Sequence, residues 1–226
     1  MVVEISKMKT ALIFGSSGLV GNNLLHCILK DNDYKKIKLF VRSNINIKDP
    51  RVEIIYDDFK NLDNIKNTII GDDCFFCIGT TKKDTPDKKE YRRVEYDIPV
   101  TIARIAKNNS VNSFFYVSSI GANSKVYNSY LRNKGQVEEE LIKLNFTKLG
   151  ILRPALLLGK RNSFRLGERL AQLIMTKVSI IFIGKLKKFK PIKAKDVAKA
   201  IINITKNNYK IKFFESDKLL ELSKPI

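Results

Sequence analysis

The chain has 226 residues, 44% hydrophobic and 29% charged, which is enough for one sizeable core and excludes a disordered or fibrous polypeptide. Its formal net charge of +19 excludes an acidic, solvating protein and brings nucleic acid, an anionic membrane or an anionic substrate into consideration. Cys27, Cys74 and Cys77 cannot close a disulfide framework, so a reducing compartment and a cytoplasmic location are expected.

The first element is the apolar strand ALIF. Lys7 and Lys9 ahead of it imitate the charged part of a signal peptide, but Glu4 and the glycines that follow argue for strand, turn and helix. Gly15, Gly18 and Gly21 stand in GSSGLVG between that strand and a helix over 19–30. There the first glycine allows a tight turn, the second lets backbone approach a pyrophosphate, and the third allows close helix packing, with the helix N-terminus facing the phosphates. His26, the only histidine, lies on this helix, so His-dependent triads and zinc sites are not expected, and it reads as a packed or rim residue.

The next strand, KLFV, ends in Arg42 and Ser43, where an NAD-selective site places an acid for the ribose 2′-hydroxyl. Asp31 and Asp33 precede the strand instead of ending it. The planar fork of Arg42 suits a 2′-phosphate, so NADP(H) is expected over NAD(H), which stays possible. After the third strand, VEIIY, Asp58 would bond an adenine amino group and Phe59 would cover the ring.

A short helix over 62–70, the strand CFFCIG and a helix over 94–107 follow. Cys74 and Cys77 are spaced like a metal half-site, but an i, i+3 pair in a strand points to opposite faces and no second pair exists, so both read as core and no metal is expected. The strand FFYVSS ends in Ser118 and Ser119, at the sheet edge where open α/β folds bind ligands and where a hydroxyl would bond a developing alkoxide. In the helix over 130–144, Tyr130 and Lys134 share one face, one turn apart. The ammonium would hold the nicotinamide ribose and favour the ionised phenol, helping Tyr130 deliver a proton to a carbonyl. Glu138, Glu139 and Glu140 read as a solvated face.

The strand LGILR completes an alternation of strands and helices that requires a parallel sheet covered on both faces, with right-handed crossovers. Beyond it come an apolar helix over 166–175, a lysine-rich connector over 185–195 and a helix over 197–204. The expected fold is therefore a doubly wound α/β domain over 1–226, with residues 154–226 as a small substrate-side lobe. Residues 151–226 hold 18 Lys and Arg against 5 Asp and Glu. That excess either solvates the lobe or draws in an anionic substrate or an anionic membrane, with Lys185, Lys187, Lys188 and Lys190 nearest the entrance. No apolar run approaches the roughly 20 residues of a membrane-spanning helix.

GSSGLVG, CIGTTKK, SSIGA, YLRNKGQVEEEL, ILRPALLLGKR and RLGE together resemble the short-chain dehydrogenase/reductase superfamily in its atypical branch, and within it the Tat-interacting protein oxidoreductase group, over residues 9–206. The resemblance implies a Rossmann sheet of about seven parallel strands. It also implies NADP(H) contacts at the glycine loop (Gly15, Ser16, Ser17, Gly18, Leu19, Val20, Gly21) and at Arg42. Further contacts fall at Ile78, Gly79 and Thr80, at Tyr130 and Lys134, at Pro154 and Leu157, and at Arg165. Ser43 replaces a second basic residue found in some relatives. Either Ser118 or Ser119 matches the catalytic hydroxyl, Ser119 preferred. The expected activity is NADPH-dependent reduction of a carbonyl by a monomer or homodimer. The alternatives are an NADP(H)-binding regulatory protein and a nucleic-acid binder; the second lacks any helix-turn-helix, RNP or zinc-finger pattern.

Overall fold

The computed structural model describes residues 8–159 and 183–224. The strands are β1 (Lys9–Phe14), β2 (Tyr34–Val41), β3 (Val52–Tyr56), β4 (Asp73–Phe76), β5 (Ser113–Val117), β6 (Lys148–Arg153), β7 (Leu157–Leu158), β8 (Ile192–Lys193) and β9 (Phe213–Glu215). The helices are α1 (Leu19–Leu29), α2 (Lys88–Arg92), α3 (Ile98–Asn108), α4 (Ser129–Lys143), α5 (Ala194–Lys206) and α6 (Ser216–Leu222). Seven strands form one parallel sheet in the order β3-β2-β1-β4-β5-β6-β9. The order reverses between β1 and β4, and that switch point opens a crevice at the carboxyl ends of the strands.

Both faces of the sheet are buried, so the central strands are almost wholly apolar. Ala11 and Ile13 of β1, with Phe75 and Phe115, face α1, α5 and α6, whose Leu24, Leu25, Val197, Ile201 and Leu219 complete that core. Leu12 and Phe14 alternate to the other side and pack with Phe76 and Tyr116 under α3 and α4. Aromatic rings tie neighbouring strands: Phe14 and Phe40 stack at 4.2 Å, and Phe75 and Phe115 at 5.2 Å. Such pairs add about 1 kcal/mol each beyond their buried area. Cys74 and Cys77 lie in opposite cores, and burial pushes the Cys77 thiol up to about 12. Among the described residues no group of acids, histidines and cysteines is arranged to hold a metal.

Several local expectations change. The helix over 62–70 is instead two 3-10 turns, Leu62–Asn64 and Lys66–Thr68. Asn61 Oδ1 accepts the Asp63 amide at 3.1 Å and Thr68 Oγ1 donates to the Ile65 carbonyl at 2.7 Å, side-chain bonds that compete with a regular helix. Before α3 the backbone widens into a π-helical turn, Arg93–Asp97. Pro99, in the first turn of α3, has no N–H for the Glu95 carbonyl, and its ring crowds that carbonyl. At the C-terminal end, β9 and α6 were not expected: β9 becomes the seventh strand of the main sheet, and three residues are too few to show a period. The lysine-rich connector contains a 3-10 turn, Gly184–Phe189, and β8, which pairs with β7. The apolar helix expected over 166–175 lies outside the described residues.

Candidate cofactor and catalytic site

The glycine turn sits at the switch point. Gly15 has φ +85°, a conformation side-chain-bearing residues avoid, and a Cβ there would lie 2.8 Å from the Ile78 amide nitrogen just beyond β4. A Cβ at Gly21 would overlap the Gly15 carbonyl oxygen, so only glycine lets α1 run this close to the turn. Val20, Leu24, Leu25 and Ile28 bury one stripe of α1, fixing its axis. The helix starts at Gly18 with no side-chain cap, which leaves first-turn amides for an anion. Ser17 is exposed, whereas Ser16 is fully buried and its Oγ has no hydrogen-bond partner among the described residues. An uncapped helix N-terminus, a glycine cradle and a partnerless hydroxyl are a set that fits a dinucleotide pyrophosphate.

Arg42 and Ser43 are exposed at the end of β2, and Arg42 forms no ion pair among the described residues. Glu90, the nearby acid, is taken by Arg93, with Nη2 to Oε1 at 2.6 Å, and that guanidinium holds the Glu90 carboxyl below its ordinary range. The residues expected around adenine divide. Phe59 turns inward, 4% exposed, and packs 6.3 Å from Phe14. Its ring therefore belongs to the core and offers no cover to a base, a correction with a clear cause: the Phe59 backbone is held at φ +59° by its amide bonding Asp57 Oδ1 at 2.6 Å. Asp58 points outward to Lys60 at 3.4 Å.

On the other side of the crevice, Asn128 caps α4, its Oδ1 accepting the Tyr130 and Leu131 amides at 3.0 and 3.2 Å. That cap sets Tyr130 in the first turn, half-buried, and Lys134 one turn later. The Lys134 ammonium lies 5.8 Å from the Tyr130 ring centre, 4.8 Å from that of Tyr116, and donates to the Val117 carbonyl at 3.2 Å. Gly79 is exposed at the end of β4, and a Cβ on it would be 3.9 Å from Lys134 Nζ. Ile78 and Thr80 are half-buried beside it. The structure thus brings the glycine turn, the end of β4, Lys134 and Tyr130 to one crevice.

The two serines have different surroundings. Ser118 is 3% exposed and donates to Glu138 Oε1 at 2.5 Å; Arg153 Nε donates to the same oxygen at 2.9 Å and its Nη2 reaches Oε2. A hydroxyl spent on a buried carboxylate is not available to a substrate. Ser119 is half-buried, with only a long 3.4 Å bond to the Ile120 carbonyl. Glu138 is correspondingly a correction to the solvated face expected over 138–140: it is 3% exposed, because Arg153 and Ser118 approach it from β6 and the end of β5, while Glu139 is exposed. Glu138→Ala would leave Arg153 without its partner, and a loss of about 3 kcal/mol is expected in denaturant unfolding. A change below about 1 kcal/mol would mean that water replaces the carboxylate.

Pro154 is buried and its carbonyl accepts the Ile120 amide at 3.0 Å, joining the loops after β5 and β6. Leu157, half-buried, pairs with Ile192. Arg165 lies outside the described residues. The residues missed from the sequence are Glu95 and Glu138, acids in helical turns whose partners are far along the chain: Lys134 and the Thr80 amide for the first, Arg153 and Ser118 for the second. His26 is exposed, its Nδ1 2.8 Å from the Asn22 carbonyl.

Comparison with known proteins agrees with this geometry. Residues 15–208 match the family described as NAD(P)H-binding. The protein FMP52, mitochondrial, of Debaryomyces hansenii is 31% identical over 199 residues, covering 86% of this chain and 87% of that one. The protein HTATIP2 of Rattus norvegicus is 33% identical over 168 residues, 73% of this chain and 69% of that one. Among solved structures, vestitone reductase from alfalfa superposes with a TM-score of 0.65 at 16% identity, covering 91% of this chain and 76% of that one. The Bordetella bronchiseptica enzyme WbmH, solved with NAD+, superposes with 0.69 at 17%, covering 92% and 75%. These two share the fold. The mitochondrial names of FMP52 relatives overturn the cytoplasmic expectation: unpaired thiols report a reducing environment and do not say which membrane surrounds it. The chain belongs to the NAD(P)H-binding family of Rossmann proteins, together with the FMP52 proteins and the Tat-interacting protein HTATIP2.

Proposed function

We propose that the protein is an NADPH-dependent oxidoreductase acting on a carbonyl or alcohol substrate, with Tyr130 as general acid and base. The observation that carries this reading is Lys134, whose ammonium stands 5.8 Å from the Tyr130 ring centre and 3.9 Å from where a Cβ on exposed Gly79 would lie, beside the place where the nicotinamide half of the cofactor would be held. When bound, the cofactor supplies the hydride. Tyr130 gives the carbonyl oxygen its proton, Ser119 donates to the same oxygen, and Lys134 holds the ribose hydroxyls. The test is NADPH absorbance against a panel of aldehydes and ketones; no oxidation above the cofactor-only rate with any of them would sink the reading.

Preference for NADP(H) rests on Arg42, a guanidinium without an ion pair among the described residues where a 2′-phosphate would lie, with no acid at the end of β2 to select the bare hydroxyl. In a fluorescence titration Arg42→Glu is expected to weaken NADPH about tenfold and leave NADH within about twofold. Equal losses for both cofactors would place the 2′-phosphate elsewhere.

The basic C-terminal part and the names of the relatives support a protein at the mitochondrion that favours an anionic substrate or meets an anionic membrane surface. Lys187 and Lys190 are exposed beside Leu186 and Phe189 on the 3-10 turn after residue 183. No helix among the described residues is long and apolar enough to cross a membrane. Cell fractionation, with co-sedimentation on anionic vesicles and kcat/KM for carboxylated against neutral carbonyls at low and high salt, tests these readings. Salt-independent rates with no carboxylate preference would leave the lysines as solvating groups.

A further inference from the structure

Beneath the crevice, Lys134 and Glu95 form an ion pair removed from water, 3% and 1% exposed, with Nζ 3.2 Å from Oε2. Glu95 Oε1 accepts the Thr80 amide at 2.5 Å, and a Cβ on Gly79 would lie 3.4 Å from the same oxygen. One carboxylate therefore holds both the ammonium and the turn at the end of β4. Glu95 reaches this position because the backbone widens into a π turn at Arg93–Asp97 ahead of Pro99.

Stability alone does not account for such a pair. Stripping water from two charges costs about as much as their attraction returns, and an apolar pair of similar volume is commonly as stable or more so. Among the described residues, the titratable groups around Lys134 are phenols, a thiol and this carboxylate: Tyr91 from α2, Tyr116 from β5, Cys77 after β4, Tyr130 one turn earlier in α4, and Glu95 from the π turn. Burial first, then Glu95, pushes the Tyr91 phenol up to about 12; burial raises Tyr116 and Cys77 as well, so those three are neutral at physiological pH. Burial by itself pushes the Lys134 ammonium down, and the Glu95 carboxylate reverses this, so that Lys134 titrates well above the ordinary lysine range.

We infer that Glu95 is a positioning residue for the proposed reduction: it seats the Lys134 ammonium, keeps it charged, and pins the Gly79–Thr80 turn against which the nicotinamide half of the cofactor would lie. The role rests on the oxidoreductase reading. Without the carboxylate, burial acts on Lys134 unopposed, and a buried lysine in that state loses its proton near or below neutral pH.

The experiment compares wild type, Glu95→Gln, Glu95→Asp and the double variant Glu95→Gln/Lys134→Met by NADPH affinity across about pH 5 to 9 and by thermal melting. From low to high pH, Glu95→Gln is expected to lose about fivefold or more in affinity beyond any change in wild type, and Glu95→Asp to follow the wild-type course. The double variant should melt above Glu95→Gln, and the same conclusion holds if only the double variant folds, since it no longer buries an unpaired charge. The same pH course for wild type and Glu95→Gln would overturn the role while leaving the oxidoreductase reading intact, and so would a double variant no more stable than the single one. Absence of NADPH binding by the wild type would instead overturn that reading, and this role with it.

Discussion

Replacing Tyr130 by Phe is expected to lower NADPH-dependent turnover about 100-fold or more, while leaving NADPH affinity within about twofold and melting nearly unchanged. The ring keeps its packing and its place in the first turn of α4, because the cap that sets it there is made by Asn128 to backbone amides and not by the phenol. Only the hydroxyl is lost, and with it the proton source on the side of the crevice that faces Lys134. Lys134→Ala should differ in kind: it leaves Glu95 buried without its cation and removes the group proposed to hold the ribose, so affinity, turnover and melting should all fall. Full activity in Tyr130→Phe on a verified substrate would transfer the acid role to another group.

The second large effect is expected from Gly21→Ala. The added methyl would occupy the space of the Gly15 carbonyl oxygen, and that carbonyl cannot rotate away because it accepts the Gly18 amide at 3.0 Å within the turn. Helix α1 must then move off the turn, which disturbs Leu24 and Leu25 in the core beneath and the amides that would face the pyrophosphate. Overpacking of this kind costs about 1 to 3 kcal/mol and sometimes more, and the upper end is expected here because the obstruction is backbone. NADPH affinity should fall about 100-fold or more, since the helix terminus and the turn no longer present one surface. Gly18→Ala is the internal control for stability: its Cβ would be 3.2 Å from the same oxygen, a gap that a shift of a few tenths of an ångström opens, so the loss of stability should be several-fold smaller. Equal losses of stability at both positions would show that flexibility of the loop, and not the close approach at Gly21, is what the glycines provide.

The amino-acid order determined the parallel, two-faced sheet and the run of strands from β1 to β6, because strands buried on both sides must be continuously apolar and segments of helical period separate β1 from β2, β4 from β5 and β5 from β6. It also marked the glycine turn, Arg42 at the end of β2, and Tyr130 with Lys134 on one helical face, since each of these follows from spacing within a single element or at its junction. What lay between elements was not legible. Whether Phe59 faced a ligand or the core depended on a backbone turned to positive φ by its neighbour Asp57. Three consecutive glutamates look alike in order, yet only Glu138 is drawn inside, because Arg153 and Ser118, from two other strands, converge on it. That convergence also separates Ser118 from Ser119, which no local pattern does. Glu95 is the plainest case: it stands 39 positions before Lys134, and only the packing of a widened helical turn against α4 and the end of β4 joins an acid, an ammonium and a backbone amide in one dry site. A buried charge is tolerated only where its partners already stand, and those partners are set by the tertiary fold.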